Sequence, residues 1–121
     1  MKKVLIIEDE PDILDVVRLA LVRDGYQTLA ATTGEEALEM AVTDPPDLIL
    51  LDIMLPGRSG LDVCRQLKND PHTQEIPIIV LTARALDSDI QAGYQAGCDE
   101  YIVKPFNMLS LAERVKDFLE D

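Results

Sequence analysis

Five short apolar runs, each followed by a longer stretch with helical periodicity, constrain the fold of this chain more than any other feature. The most apolar run, Leu48–Leu51, has aliphatic side chains at every position rather than at alternate ones. Such a run is typical of a strand buried on both faces of a parallel sheet. Parallel strands need long crossover connections, so the alternation favours an α/β sheet covered by helices on both faces.

The apolar periodicity predicts ten elements in strict alternation. Pro11 suits the first turn of the first helix. Thr33 and Glu36 form a capping box for the second, and Asn107 caps the last. The stretch after the fourth strand is a poor helix with few apolar positions and an internal glycine, Gly93. The five strands are expected at 4–7, 27–31, 48–51, 76–81 and 100–103.

Length and charge narrow the possible functions. A chain of 121 residues fits one domain, 1–121, without room for an effector domain. Eleven basic and 23 acidic residues give a net charge of −12, which argues against direct nucleic-acid binding. The apolar start is too short for a signal peptide and no stretch is long enough to span a membrane, so we expect a cytoplasmic protein. Cys64 and Cys98 are expected to be reduced.

Polar residues follow four of the five predicted strands. Glu8 and Asp9 come after the first strand, Asp52 after the third, Thr82 after the fourth and Lys104 after the fifth. The carboxyl ends of parallel strands meet at one edge, where open α/β sheets place their chemistry. Clustered carboxylates suit a hard cation such as Mg²⁺. With Mg²⁺ bound, one carboxylate can act as a nucleophile toward a phosphoryl group, assisted by the lysine.

In order and at the right strand ends, four motifs make the whole chain resemble the receiver domain of bacterial two-component response regulators. The resemblance implies a flavodoxin-like receiver fold, with a five-stranded parallel sheet of order 2-1-3-4-5 flanked by five helices. The motifs are Glu8-Asp9, Asp52-Ile53-Met54-Leu55-Pro56-Gly57, Leu81-Thr82-Ala83 and Tyr101-x-x-Lys104-Pro105-Phe106.

The resemblance implies a role for each residue of the predicted site. Asp52 would accept a phosphoryl group from a sensor histidine kinase or a histidine phosphotransfer protein. Asp9, Asp52 and the backbone carbonyl of Met54 would bind Mg²⁺, with Glu8 acting mainly through water.

The same resemblance implies a switch beside the phosphoacceptor. Lys104 would pair with the acceptor or its phosphate, while Thr82 and the Ala83 N–H would donate to phosphoryl oxygens. The Lys104–Pro105 peptide bond is expected to be cis. Tyr101 would be the switch aromatic, which rotates inward as Thr82 moves.

The resemblance also bears on the lifetime of the phosphoryl group and on the formation of dimers. Met54 and Arg84 occupy the positions that line the path of the attacking water in the family, and their bulk predicts slow self-dephosphorylation. The expected downstream surface is the face of helix 4, strand 5 and helix 5. Ile90 and Ser110 replace residues of the usual charge pair there, although Asp99-Glu100, Arg114 and Lys116 are present. We therefore expect a monomer or a weak, phosphorylation-dependent dimer.

The sequence leaves alternative functions open. The chain could be a receiver cut from a DNA-binding transcription regulator, or a binding module that works without phosphorylation. A flavodoxin-like cofactor protein is disfavoured because the acidic loop after the first strand ends in Pro11, which has no N–H for a phosphate. Aspartyl-nucleophile phosphatases place a second acid where this chain has Met54. The chain is thus not expected to be an enzyme, beyond catalysing its own phosphorylation and slow dephosphorylation.

Overall fold

The computed structural model describes residues 1–120 and has the alternating order that the sequence predicts. The fold class is therefore confirmed. The strands are β1 (Lys3–Ile7), β2 (Gln27–Ala31), β3 (Leu48–Leu51), β4 (Ile78–Thr82) and β5 (Glu100–Val103). The helices are α1 (Pro11–Arg23), α2 (Gly34–Thr43), α3 (Gly60–Asn69), α4 (Asp87–Gln95) and α5 (Met108–Leu119).

All five strands are parallel and lie in the order β2-β1-β3-β4-β5. β1 lies between β2 and β3, and its last residue, Ile7, is in register with Leu51 of β3. The Asp52 N–H continues this ladder by donating to the Ile7 carbonyl at 3.0 Å. The ends of β1 and β3 are therefore held side by side, at the point where the chain order of the strands reverses.

Two apolar cores cover the two faces of the sheet, because successive side chains of a strand point to opposite faces. In β3, Leu48 and Leu50 pack into one core while Ile49 and Leu51 pack into the other. The first core, with Leu48 and Leu50, also contains apolar residues of α1 and α5. The second core, with Ile49 and Leu51, contains apolar residues of α2 and α3. The free thiols of Cys64 and Cys98 are buried in the second core.

Side-chain caps begin three of the helices. The hydroxyl of Thr33 accepts from the Glu36 N–H, that of Ser59 accepts from the Leu61 N–H, and the Asn107 side chain accepts from two N–H groups. The predicted capping box is shifted by one residue, since the Glu36 carboxylate accepts from the N–H of Thr32 instead of Thr33.

The fourth strand begins two residues later than predicted, at Ile78. Pro77 has no N–H to give to a ladder, although its carbonyl accepts from the Ile49 N–H at 3.0 Å. Among residues 1–120, no helix is both long enough and apolar enough to cross a membrane.

Candidate functional site

The ends of β1, β3 and β4 place three polar side chains out of contact with solvent. Glu8 is 3 % exposed, Asp52 is 4 % exposed and Thr82 is completely buried. Burying a carboxylate is costly unless it is paired or hydrogen-bonded. The structure supplies that partner from the end of β5, where Lys104 reaches back over the sheet edge.

The Lys104 ammonium bridges the two buried carboxylates. Its Nζ lies 3.0 Å from Asp52 Oδ2 and 2.7 Å from Glu8 Oε1, and it donates to both. The second oxygen of Asp52, Oδ1, accepts from the Met54 N–H at 2.9 Å. Asp52 is thus fixed at both oxygens.

The pKa values of Glu8 and Lys104 reflect this arrangement. Burial raises the pKa of Glu8, and the hydrogen bond from Lys104 only partly offsets it, while the charge of Asp52 raises it further. For Lys104, burial acts to lower the pKa, but hydrogen bonds to Glu8 and Asp52 outweigh it, so the pKa is raised. The lysine therefore stays charged at neutral pH.

The carboxylates that come together differ in one member from those predicted. Oxygens of Glu8, Glu10 and Asp52 lie within 4.8 Å of one another, and Glu10 Oε1 is 3.9 Å from Lys104 Nζ. Asp9, expected beside Asp52, is exposed and lies at the rim of the neighbouring pocket. Residues 9 and 10 lie in the turn before α1, where the sequence pattern does not show which side chain turns inward.

The donor set fits a divalent cation. Glu8, Glu10 and Asp52 bring three carboxylates against the single ammonium of Lys104, so negative charge is in excess. Carboxylate oxygens are the ligands that Mg²⁺ prefers. Asp9 and Met54 both line the adjoining pocket.

A glycine that the sequence reading did not single out holds the loop after Asp52 close to the sheet. The Gly60 N–H donates to the Ile53 carbonyl at 2.9 Å. A Cβ at position 60 would lie 2.5 Å from the Asp52 carbonyl oxygen and 2.5 Å from Ile53 Cα. No larger residue fits this approach, so the start of α3 depends on glycine. In the sequence, the position of Gly60 directly after the helix cap Ser59 is the feature that indicates a close approach here.

An open pocket of about 560 Å³ lies next to Asp52, between the loops that follow β3 and β4. Asp9, Met54, Arg84 and Asp89 are among the residues that line it. Met54 and Arg84 are each 53 % exposed, so both side chains stand at the mouth. The structure thus brings the two predicted lifetime-tuning residues together on one pocket.

The loop after β4 connects Thr82 with Tyr101. Thr82 Oγ1 lies 3.5 Å from the Arg84 nitrogen, and the Tyr101 hydroxyl donates to the Arg84 carbonyl at 2.8 Å. Burial raises the pKa of Tyr101. Gly93 of α4 leaves room for the ring, because a Cβ there would lie 2.6 Å from Tyr101 Cδ2. The tyrosine therefore lies against α4 and is tied to the residue two after Thr82.

The end of β5 has the backbone conformation that was expected. The Lys104–Pro105 peptide bond is cis. Ala83 is exposed and lines a second opening of about 470 Å³ together with Lys104, Pro105 and Phe106.

The acidic pair on the α4–β5–α5 face is already engaged within the chain. Asp99 Oδ2 accepts from Lys68 Nζ at 2.9 Å and from the Ile78 N–H at 2.8 Å. Glu100 pairs with Arg114, with Nε and Oε2 3.2 Å apart. Both members of the acidic pair therefore have a basic partner within the chain.

Comparisons with known proteins agree with this geometry. The profile of the response regulator receiver domain family matches residues 4–116. A structure from Chloroflexus aurantiacus J-10-fl is 35% identical with a TM-score of 0.93, covering 99% of this chain and 98% of that one. The signal receiver domain of a histidine kinase from Syntrophus aciditrophicus is 34% identical with a TM-score of 0.92, covering 98% and 90%. A sensor histidine kinase receiver domain from Pseudomonas aeruginosa PAO1, with magnesium in its active-site cleft, is 30% identical with a TM-score of 0.91, covering 99% and 98%.

Proposed function

This chain belongs to the response regulator receiver domain family, and from that premise we propose that Asp52 is its phosphoacceptor. The observation that carries the proposal is the buried Asp52 carboxylate at the end of β3, 3.0 Å from the Lys104 ammonium and beside an open pocket. The Asp52 carboxylate is buried, and the ammonium of Lys104 lies within hydrogen-bond distance of it. Both properties suit a nucleophile that forms an acyl phosphate.

The proposed reaction is transfer of a phosphoryl group from a phosphohistidine to Asp52. A carboxylate oxygen of Asp52 forms a bond to phosphorus as the phosphorus–nitrogen bond breaks, and the donor histidine, already protonated on its other ring nitrogen, leaves as neutral imidazole. Lys104 neutralises charge on the acceptor and on the product. Mg²⁺, held by Asp52 and its acidic neighbours, would neutralise charge on the phosphoryl oxygens when it is bound. In this structure a carboxylate oxygen of Glu10 lies within 4.8 Å of oxygens of Glu8 and Asp52, whereas Asp9 is exposed.

The proposed product is a signalling state of the protein. Thr82 and the Ala83 N–H would donate to the phosphoryl oxygens, and Tyr101 would report the change through its bond to the Arg84 carbonyl. The donors would be a sensor histidine kinase or a histidine phosphotransfer protein in the cytoplasm. A downstream protein would bind the α4–β5–α5 face. The net charge of −12 supports a protein partner rather than nucleic acid.

We also propose that the chain is monomeric or dimerises weakly on phosphorylation, since Glu100 and Arg114 pair within one chain. Its only catalysis would be its own phosphorylation and a slow hydrolysis. The exposed side chains of Met54 and Arg84 at the pocket mouth support a phosphoryl lifetime of minutes or longer.

Incubation with Mg²⁺ and acetyl phosphate, followed by intact mass measurement, tests the assignment of Asp52. We expect one phosphoryl adduct in the wild type and none in Asp52→Asn. No adduct, or an adduct that survives in the variant, would overturn it. Following loss of the adduct after donor removal tests the lifetime, and a lifetime of seconds would contradict the role of Met54 and Arg84.

A further inference from the structure

We propose that Asp89 is a positioning residue that keeps the Arg84 guanidinium away from the phosphoryl group and so limits how strongly the site attracts anionic phosphoryl donors. The inference rests on the proposed function of Asp52. It concerns an ion pair that the sequence reading did not predict, formed between the loop after β4 and the first turn of α4.

The Asp89 carboxylate and the backbone of Arg84 are each held by a further hydrogen bond. Arg84 Nε lies 3.4 Å from Asp89 Oδ1, while the other oxygen, Oδ2, accepts from the Leu86 N–H at 3.2 Å. The Asp89 side chain is only 17 % exposed, so its position in the helix start is well defined. The Arg84 carbonyl is held by the Tyr101 hydroxyl. The long arginine side chain is thus the one mobile part, and Asp89 determines where its charge lies.

The ion pair stands at the mouth of the pocket beside the phosphoacceptor. Both residues line it with Asp9 and with Met54, whose N–H binds Asp52 Oδ1. Among the described residues that line this pocket, Arg84 is the single cation. An incoming phosphoryl group carries negative charge, so it competes with Asp89 for the guanidinium.

The expected consequence is slower phosphorylation of the protein by small anionic phosphoryl donors. While Asp89 holds Arg84, the other cation near the phosphoacceptor is Lys104, which is already shared by Glu8 and Asp52. Removing the charge of Asp89 frees the guanidinium to meet the donor. Asn at position 89 still offers an oxygen to the Leu86 N–H, so the helix start is retained.

The test is the second-order rate constant for phosphorylation by acetyl phosphate with Mg²⁺, measured for a double-mutant cycle of Asp89→Asn and Arg84→Gln. We expect Asp89→Asn to raise the rate constant by about 3- to 5-fold, the upper range of what a partly exposed ion pair controls. In the Arg84→Gln background the same change should have less than about a 2-fold effect, because no guanidinium is left for Asp89 to hold and about 2-fold is the scatter between independent sites. Asp87→Asn, in the same turn and with the same charge change, is the matched control and should stay within about 2-fold of wild type.

The outcomes separate the inference from the proposed function. If Asp89→Asn acts equally in both backgrounds, Asp89 works through its own charge and the positioning role is wrong. An unchanged or lower rate constant in Asp89→Asn, with urea unfolding like that of wild type, also overturns it. If the wild type takes up no phosphoryl group at all, the assignment of Asp52 is wrong. If the wild type is phosphorylated but the double-mutant cycle shows no coupling between Asp89 and Arg84, only the role of Asp89 is refuted.

Discussion

Replacing Gly60 by alanine should destabilise the protein through a collision between two backbone segments. The added Cβ would lie 2.5 Å from both the Asp52 carbonyl oxygen and Ile53 Cα, where ordinary contacts begin at 3.4 Å. The segments must therefore separate by 3.4 − 2.5 = 0.9 Å. Because both contacts are backbone atoms, no rotamer change can relieve them.

The expected loss combines two terms. Forcing an extra carbon into a packed position costs about 1–3 kcal/mol, and weakening the hydrogen bond from the Gly60 N–H to the Ile53 carbonyl adds about 0.5–1.5 kcal/mol. The higher helix propensity of alanine offsets this loss by up to about 1 kcal/mol, and the offset is smaller at the first residue of a helix. We expect a net loss of about 2–3 kcal/mol in the free energy of unfolding.

Urea unfolding followed by circular dichroism measures this loss, and Gly34→Ala is the matched control. Gly34 is also the first residue of a helix that follows a hydroxyl cap. There the new Cβ would lie 2.8 Å from Val63 Cγ2, a side-chain atom that can shift, so we expect a loss of about 1 kcal/mol. If Gly60→Ala costs no more than Gly34→Ala, the argument from backbone collision is wrong. Phosphorylation should also slow in Gly60→Ala, since Asp52 must move.

Three further predictions follow from buried groups. Burial raises the pKa of Cys64 to about 11 and that of Cys98 to about 12, so native protein at neutral pH should resist alkylation that unfolded protein accepts at once. Burial raises the pKa of Tyr26 from 10.0 to about 12. Since the folded state favours the neutral phenol, its contribution to stability is complete below pH 10 and is lost as the pH rises to about 12. Ultraviolet titration of the wild type and Tyr26→Phe should show the raised pKa, and urea unfolding of the two proteins at increasing pH should show the loss of stability. Gly93→Ala should push the Tyr101 ring off α4 and lower its raised pKa; an unchanged tyrosine titration would contradict the contact.

Sequence patterns were sufficient for the fold because it depends on features repeated along the chain. Five apolar runs and the caps at Thr33, Ser59 and Asn107 determine where strands and helices lie, and parallel pairing then brings their ends to one edge. The same reasoning placed Asp52 and Lys104 together, since each directly follows a buried strand.

The contacts that no sequence pattern specifies depend on single side-chain directions. Asp9 and Glu10 are adjacent acids in a turn, and only the path of that turn decides which approaches Asp52. The pairing of Arg84 with Asp89 requires the loop to fold back onto α4. The Asp99 carboxylate also accepts from the Ile78 N–H at the start of β4, a contact that its place in the Asp99-Glu100 pair does not indicate. These contacts join residues whose relative positions no local pattern specifies.

The placement of β3 between two cores has a consequence for hydrogen exchange. Its side chains fill both sides of the sheet and its backbone is paired with β1 and β4, so its amide protons have no local route to solvent. They should exchange only when the whole domain unfolds, whereas the exposed loop after β4 should exchange through small openings. Asp52 would thus directly follow a slowly exchanging strand, whereas Arg84 lies in the loop that is expected to exchange faster and Asp89 lies in the first turn of α4. A phosphoryl group would be held by a part of the molecule that stays still, beside a part that is free to respond.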